Sequence, residues 1–160
     1  MPTAPSGVYS GRAILRKTIN GSGKSTVSIV ALVGMATVME YAGMTQLLAE
    51  ALSNTGVLFP FLSPFIGALG AFMTGSNTNS NVVFTDLQRQ TAVALNLTVP
   101  MILAAQNAGG ALGSIFAPAK VIVGCSTVKG ADDAAVLKLA TLYGVFILAL
   151  LGLLTLVLGG

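Results

Sequence analysis

The sequence predicts an all-α, polytopic membrane helix bundle with discontinuous or re-entrant helices, and three observations predict it. Of 160 residues, 54% are hydrophobic and only 8% charged, against roughly 25% charged residues in an ordinary soluble domain. Mean hydropathy is +0.84. The long uncharged runs are interrupted by prolines and by polar, glycine-containing strings. Helices with so few charges have no polar face to turn to water, so lipid is their solvent.

The first apolar run covers 27–52, with Glu40 near its middle and Glu50 near its far end. As one helix it would be ~39 Å long, enough to cross a bilayer with tilt. It is expected as one full span. The run 57–73 carries no charge, but Pro60 and Pro64 interrupt it, and it reads as short and broken. Next comes TGSNTNSN at 74–81, a polar island running into Val82, Val83 and Phe84. From Asp86 to Leu97, Leu87, Ala94 and Leu95 share a helical face while Gln88, Arg89 and Gln90 fall elsewhere, as in a helix reaching a membrane interface.

Pro100 opens a second apolar stretch that meets QNAGGALGS at 106–114 and turns apolar again around Pro118 and Lys120. A second interrupted element is expected there. Gly130 closes that unit, and Asp132 and Asp133 sit where carboxylates favour a helix start. The final run, 139–160, is free of charge and would be ~33 Å long, the cleanest span in the chain. Two good spans thus flank two broken elements. Interrupted helices at membrane depth persist only where the freed backbone is buried in protein or lines a wet cavity, a geometry of transporters more than of membrane enzymes.

Charge and residue usage narrow the function further. The net charge of +3 does not mark a nucleic-acid surface, because Arg12, Arg16, Lys17 and Lys24 all precede the first apolar run. That is the placement of a cytoplasmic flank. Residues 1–26 are expected as a cytoplasmic N-terminal segment and 27–160 as the membrane domain, with no cleaved signal peptide at the start. One cysteine excludes an internal disulfide, and the lack of histidine removes the Ser-His triad and the commonest metal ligand. No enzyme, cofactor or metal is expected. Cys125, within VIVGCST, reads as a small buried hydrophobe.

The candidate binding residues are Thr74, Gly75, Ser76, Asn77, Thr78, Asn79, Ser80 and Asn81, with Asn107, Gly109 and Gly110 from the second break. They offer hydroxyl and amide groups without formal charge, and a helix starting after the break points its positive end at the pocket, which suits a small carboxylate. The same break exposes backbone carbonyls that suit a cation. The plainer alternatives are an aqueous turn at 74–81 and small-residue helix packing at 107–113. A charge-free stretch from 51 to 85 argues against an exposed turn. Glu40 is the candidate proton-coupling carboxylate, the alternative being an interfacial glutamate in a tilted helix. Lys120 either attracts an anion or snorkels.

NGSGKST at 20–26 imitates the end of a phosphate-binding loop, but the position five before Gly23 is Thr18 rather than glycine, and an apolar run follows where a soluble helix is required. A nucleotide-binding role is set aside.

VMEYAGMT at 38–45, FPFLSPFIG at 59–67, GAFMTGSNTNSN at 70–81, QNAGG at 106–110 and PAKVIVGC at 118–125 together resemble the L-lactate permease family. The resemblance covers nearly everything from about residue 25 onward. It implies a bacterial plasma-membrane, multi-pass protein importing L-lactate, D-lactate or glycolate with a proton. It also implies a place in a wider ion-transporter group whose Ser-Asn-Thr motifs at helix breaks bind carboxylates, matched by Ser76, Asn77 and Thr78. Family members are much longer, so the chain reads as the C-terminal part of that architecture, joined by an N-terminal half or by copies of itself. Against the commoner family pattern GSDTSSN, Asn77 replaces an acid and Asn79 a serine. The later GKMISP becomes GSIFAP at 113–118. Loss of the acid makes Glu40 the more interesting proton carrier. The alternative from another class is a non-transporting membrane scaffold in which the breaks only pack helices.

Overall fold

A computed structural model describes residues 11–128 and 130–159. The expectations for the first ten residues lie outside it. Among the described residues there is no strand, and seven α-helices follow one another: α1 Gly11–Tyr41, α2 Met44–Ser53, α3 Phe59–Thr74, α4 Asn77–Ala94, α5 Val99–Ile115, α6 Pro118–Cys125 and α7 Asp133–Gly159.

The core is built on α3, α4 and α5, with α7 closing one side and α2 and α1 packing on α4. Successive side-chain pairings show α4 running back antiparallel along α3 and α5 running parallel to α3. α7 runs antiparallel to both, with Gly144 against Phe116, Gly152 against Phe61 and Gly159 against Met101. Phe59, Ala92 and Ile102 form one buried apolar cluster and Ala68, Phe116 and Leu148 another.

Among the described residues, three elements are long and apolar enough to cross a membrane, Gly56–Thr74, Val99–Cys125 and Asp133–Gly159, with a shorter apolar stretch at Ile29–Tyr41. This corrects the expected arrangement at four places. The run 27–52 is not one span: Gly43, at φ 72°, ends α1 and starts α2, a left-handed backbone that only glycine adopts without strain. The helix before it begins at Gly11 and passes through 26/27, so the string 20–26 lies inside a helix and forms no phosphate-binding loop.

The run 57–73 is whole rather than broken. A 3-10 turn at Gly56–Leu58 leads into α3, Pro60 sits in its first turn, where a missing N–H costs nothing, and Pro64 is carried inside the helix. The second break also moves. Residues 106–114 are helical within α5, and the interruption falls at Phe116 and Ala117, where Pro118 disfavours a helical conformation for the residue before it.

The reason 106–114 stays helical is packing. A Cβ at Gly109 would run into the carbonyl of Pro64, one at Gly113 into that of Ala68, and one at Gly67 into that of Gln106. These glycines let α3 and α5 cross with backbones touching, as small residues do in membrane helix pairs. The fourth correction concerns Gln88, expected off the buried face and in fact fully buried beside Leu87.

The last connection follows expectation. Gly130 adopts φ 80°, and Asp132 Oδ1 accepts from Ala134 N–H and Ala135 N–H at 3.0 and 3.1 Å to cap α7. Cys125 is buried.

Candidate functional site

The first break is two residues long. Thr74 closes α3 by donating its hydroxyl to Gly70 O at 2.8 Å, and Gly75 turns the chain at φ 69°. Ser76, extended, then caps α4 by accepting from Asn79 N–H at 3.3 Å. Six of the eight residues of 74–81 therefore lie outside the turn, and 77–81 form the opening of α4.

Asn77 and Asn81, four apart, share one face of α4. Both reach the same atom: Asn77 Nδ2 and Asn81 Nδ2 donate to Asn107 Oδ1 on α5 at 2.9 and 2.7 Å. Gly110 makes room for Asn77, because a Cβ there would collide with Asn77 Oδ1. Asn77 and Asn81 are half-buried and Asn107 is exposed. The amide oxygens Asn77 Oδ1 and Asn81 Oδ1 are buried and accept no hydrogen bond, and the same holds for Gln88 Oε1 below them.

Beneath the asparagines lies a second polar layer. Ser80 donates to Gly67 O at 2.7 Å, and Gln106 Nε2 donates to Ser80 Oγ at 3.3 Å. Gln88 Nε2 donates to both Gln106 Oε1 and Ser63 O at 2.9 Å, and Ser63 donates to Ile102 O at 3.1 Å. Ser63, Ser80, Gln88 and Gln106 are all buried. A buried polar group costs about 1–3 kcal/mol when its partner is removed, so this layer fixes the mutual height of α3, α4 and α5 and hence the register of the three asparagines.

Of the sequence-derived candidates, the structure brings together Asn77, Asn81 and Asn107. Ser80 supports them from below, Thr74, Gly75 and Ser76 shape the turn, and Asn79 contributes its backbone to the cap. Thr78 is exposed. Gly109 faces Pro64 rather than the asparagines, and Gly110 faces Asn77. Glu40 is exposed, one residue before the end of α1, and is not hydrogen-bonded to the cluster. Lys120 is exposed on α6. Gln88, Gln106 and Ser63 carry the supporting layer although sequence reasoning did not single them out. For Gln88 the signal was its spacing with Ser80 and Thr91 on one face of α4.

The cluster is electrically neutral. Among the described residues, the charged side chains of α3, α4 and α5 are Asp86 and Arg89, which pair with each other at 2.7 Å on the outer side of α4. A separate cavity of about 270 Å³ between α2 and α4 is lined by Gln46, Glu50, Arg89 and Gln90. No group of three metal-binding side chains occurs among the described residues.

A bundle with helices long and apolar enough to cross a bilayer, and with a polar helix break buried against its neighbours, is that of an integral membrane protein. The profile of the L-lactate permease family matches residues 8–159, and the chain belongs to that family. Among its curated relatives are a glycolate permease of Escherichia coli (strain K12), 38% identical over 75% of this chain and 21% of the relative, and an L-lactate permease of Halalkalibacterium halodurans, 33% identical over 82% of this chain and 25% of the relative. An L-lactate permease of Streptococcus iniae is 42% identical over 59% of this chain and 20% of its own. The chain thus spans a fifth to a quarter of the length of these relatives. No solved structure matches it.

Proposed function

We propose that the chain forms the carboxylate-binding core of a secondary transporter that takes up small 2-hydroxy monocarboxylates, lactate or glycolate, together with a proton across a bacterial plasma membrane. The observation that carries this reading is the convergence of Asn77 Nδ2 and Asn81 Nδ2 on one point at the opening of α4. Two amide donors there, with the positive end of α4 behind them, receive a carboxylate oxygen without a buried cation. Thr74, Gly75, Ser76, Thr78, Asn79 and Ser80 shape the turn and its rim, and Asn107, Gly109 and Gly110 present the facing helix. The relatives, named as lactate and glycolate permeases, support that substrate class.

Glu40 is the proposed proton carrier, since it is the acidic side chain carried by the apolar stretch Ile29–Tyr41, where it is exposed next to the helix end. The rest of the pathway comes from an N-terminal half or from further copies of the chain.

Uptake of labelled L-lactate by cells lacking their own lactate carriers tests the proposal, with this chain expressed alone and with a matching N-terminal half, and with and without a proton gradient. Gradient-dependent uptake that is lost in Asn77→Ala with insertion intact supports it. Insertion without uptake in either case removes lactate as the substrate, and Glu40→Gln uptake that still follows the gradient removes Glu40 as the carrier.

A further inference from the structure

The three asparagines are not equivalent. Asn77 and Asn81 are half-buried, and their amide oxygens are buried without partners. Asn107 is exposed, and its neighbours at i−3 and i+4, Ala104 and Ala111, are small and exposed as well. The side chain that has room to swing is therefore Asn107, while the two donors stay in place.

What Asn107 contributes is one oxygen, Oδ1, accepting two N–H groups at 2.9 and 2.7 Å. That is the coordination one oxygen of a carboxylate takes between two amide donors. A carboxylate oxygen makes charge-assisted hydrogen bonds that are about twice as strong as those to a neutral amide. An anion reaching this point outcompetes Asn107 for the same two donors, and the vacated side chain has open space to enter.

We propose that Asn107 Oδ1 is a built-in stand-in for the substrate carboxylate: binding displaces the Asn107 side chain, and one carboxylate oxygen takes its place between Asn77 and Asn81. The inference rests on the reading of this cluster as the carboxylate site and adds that Asn107 competes with substrate rather than holding it. In the empty site Asn107 keeps both donors satisfied, and on release it returns to them, lowering the affinity the site would otherwise have.

The test is calorimetric titration of L-lactate into the purified full chain in lipid nanodiscs at pH 7. Asn77→Ala and Asn81→Ala each weaken binding by about tenfold or more, the loss of one hydrogen bond to a charged group. Asn107→Ala binds tighter, by about two- to tenfold for each neutral bond that no longer competes. Asn107→Ser, whose hydroxyl is too short to reach both donors, behaves alike and serves if the alanine variant inserts poorly. Asn107→Asp tethers a carboxylate at the shared point, so it abolishes lactate binding and raises the thermal midpoint of the unliganded protein.

Unchanged or weaker binding in Asn107→Ala and Asn107→Ser overturns the inference while leaving the carboxylate site standing. Binding that ignores Asn77→Ala and Asn81→Ala, or no lactate binding by the parent chain, overturns the site reading beneath it.

Discussion

Gly109→Ala and Gly124→Ala are the same chemical change on either side of the break in the stretch Val99–Cys125, and the structure separates their outcomes. A Cβ at Gly109 would lie 2.6 Å from both the carbonyl carbon and the Cα of Pro64, whereas a Cβ at Gly124 meets nothing within 4 Å. Ordinary carbon contacts are about 3.5–4.0 Å, so accommodating the methyl at Gly109 requires α3 and α5 to separate by roughly 1 Å. The obstacle is backbone, which cannot rotate away. Overpacking of this kind costs about 1–3 kcal/mol, and both substitutions gain about 1 kcal/mol of helix propensity over glycine. The propensity gain cancels in the comparison. Gly109→Ala is therefore expected about 3 kcal/mol less stable than Gly124→Ala, the upper end of the range, measured as the difference in unfolding free energy in mixed micelles titrated with denaturing detergent. Equal stability of the two variants would refute the claim that backbone contact between α3 and α5 holds the bundle together.

Gln106→Leu removes the donor to Ser80 and the acceptor for Gln88 in the layer beneath the asparagines. It should cost about 2–4 kcal/mol, because two buried groups lose a partner, with thermal unfolding as the readout. Asp132→Ala deletes the oxygen that accepts from Ala134 and Ala135, at a cost of about 1 kcal/mol confined to the first turn of α7 and visible as faster hydrogen exchange there. Asp86→Asn breaks the pair with Arg89, whose side chains are 37% and 49% exposed. Its effect on stability stays within about 1 kcal/mol, and a larger loss would mean that this face of α4 is covered in the assembled protein.

The class of fold was legible because composition alone excludes water as the solvent of these helices, and the polar string at 74–81 stood out by its abruptness. The asparagines at 77 and 81 were legible as helical neighbours once a helix was placed after the turn. What the letters could not convey was which small residues bend the chain and which let it pack. Gly43 and Gly75 both take positive φ and end helices, whereas Gly109, Gly110 and Gly113 sit in an unbroken one. The difference lies in what stands opposite, the carbonyls of Pro64 and Ala68 and the side chain of Asn77, all more than 30 residues away in sequence. Gln88 was misplaced for a related reason. An amide next to Leu87 looks like an interfacial residue until Ser63 and Gln106 are known to meet it.

The turn at Gly75 and Ser76 has a further consequence for motion. With only two residues between them, and with Ser80 tied to Gly67 and Gln88 tied to Ser63, α3 and α4 form a lever with no slack at its tip. Because Ile102 and Gln106 of α5 are held to the same hairpin, any rearrangement of these helices must carry α3, α4 and α5 together. The bends outside this unit then fall where the backbone has taken left-handed conformations, at Gly43 before α2, at Gly56 before α3 and at Gly130 before α7.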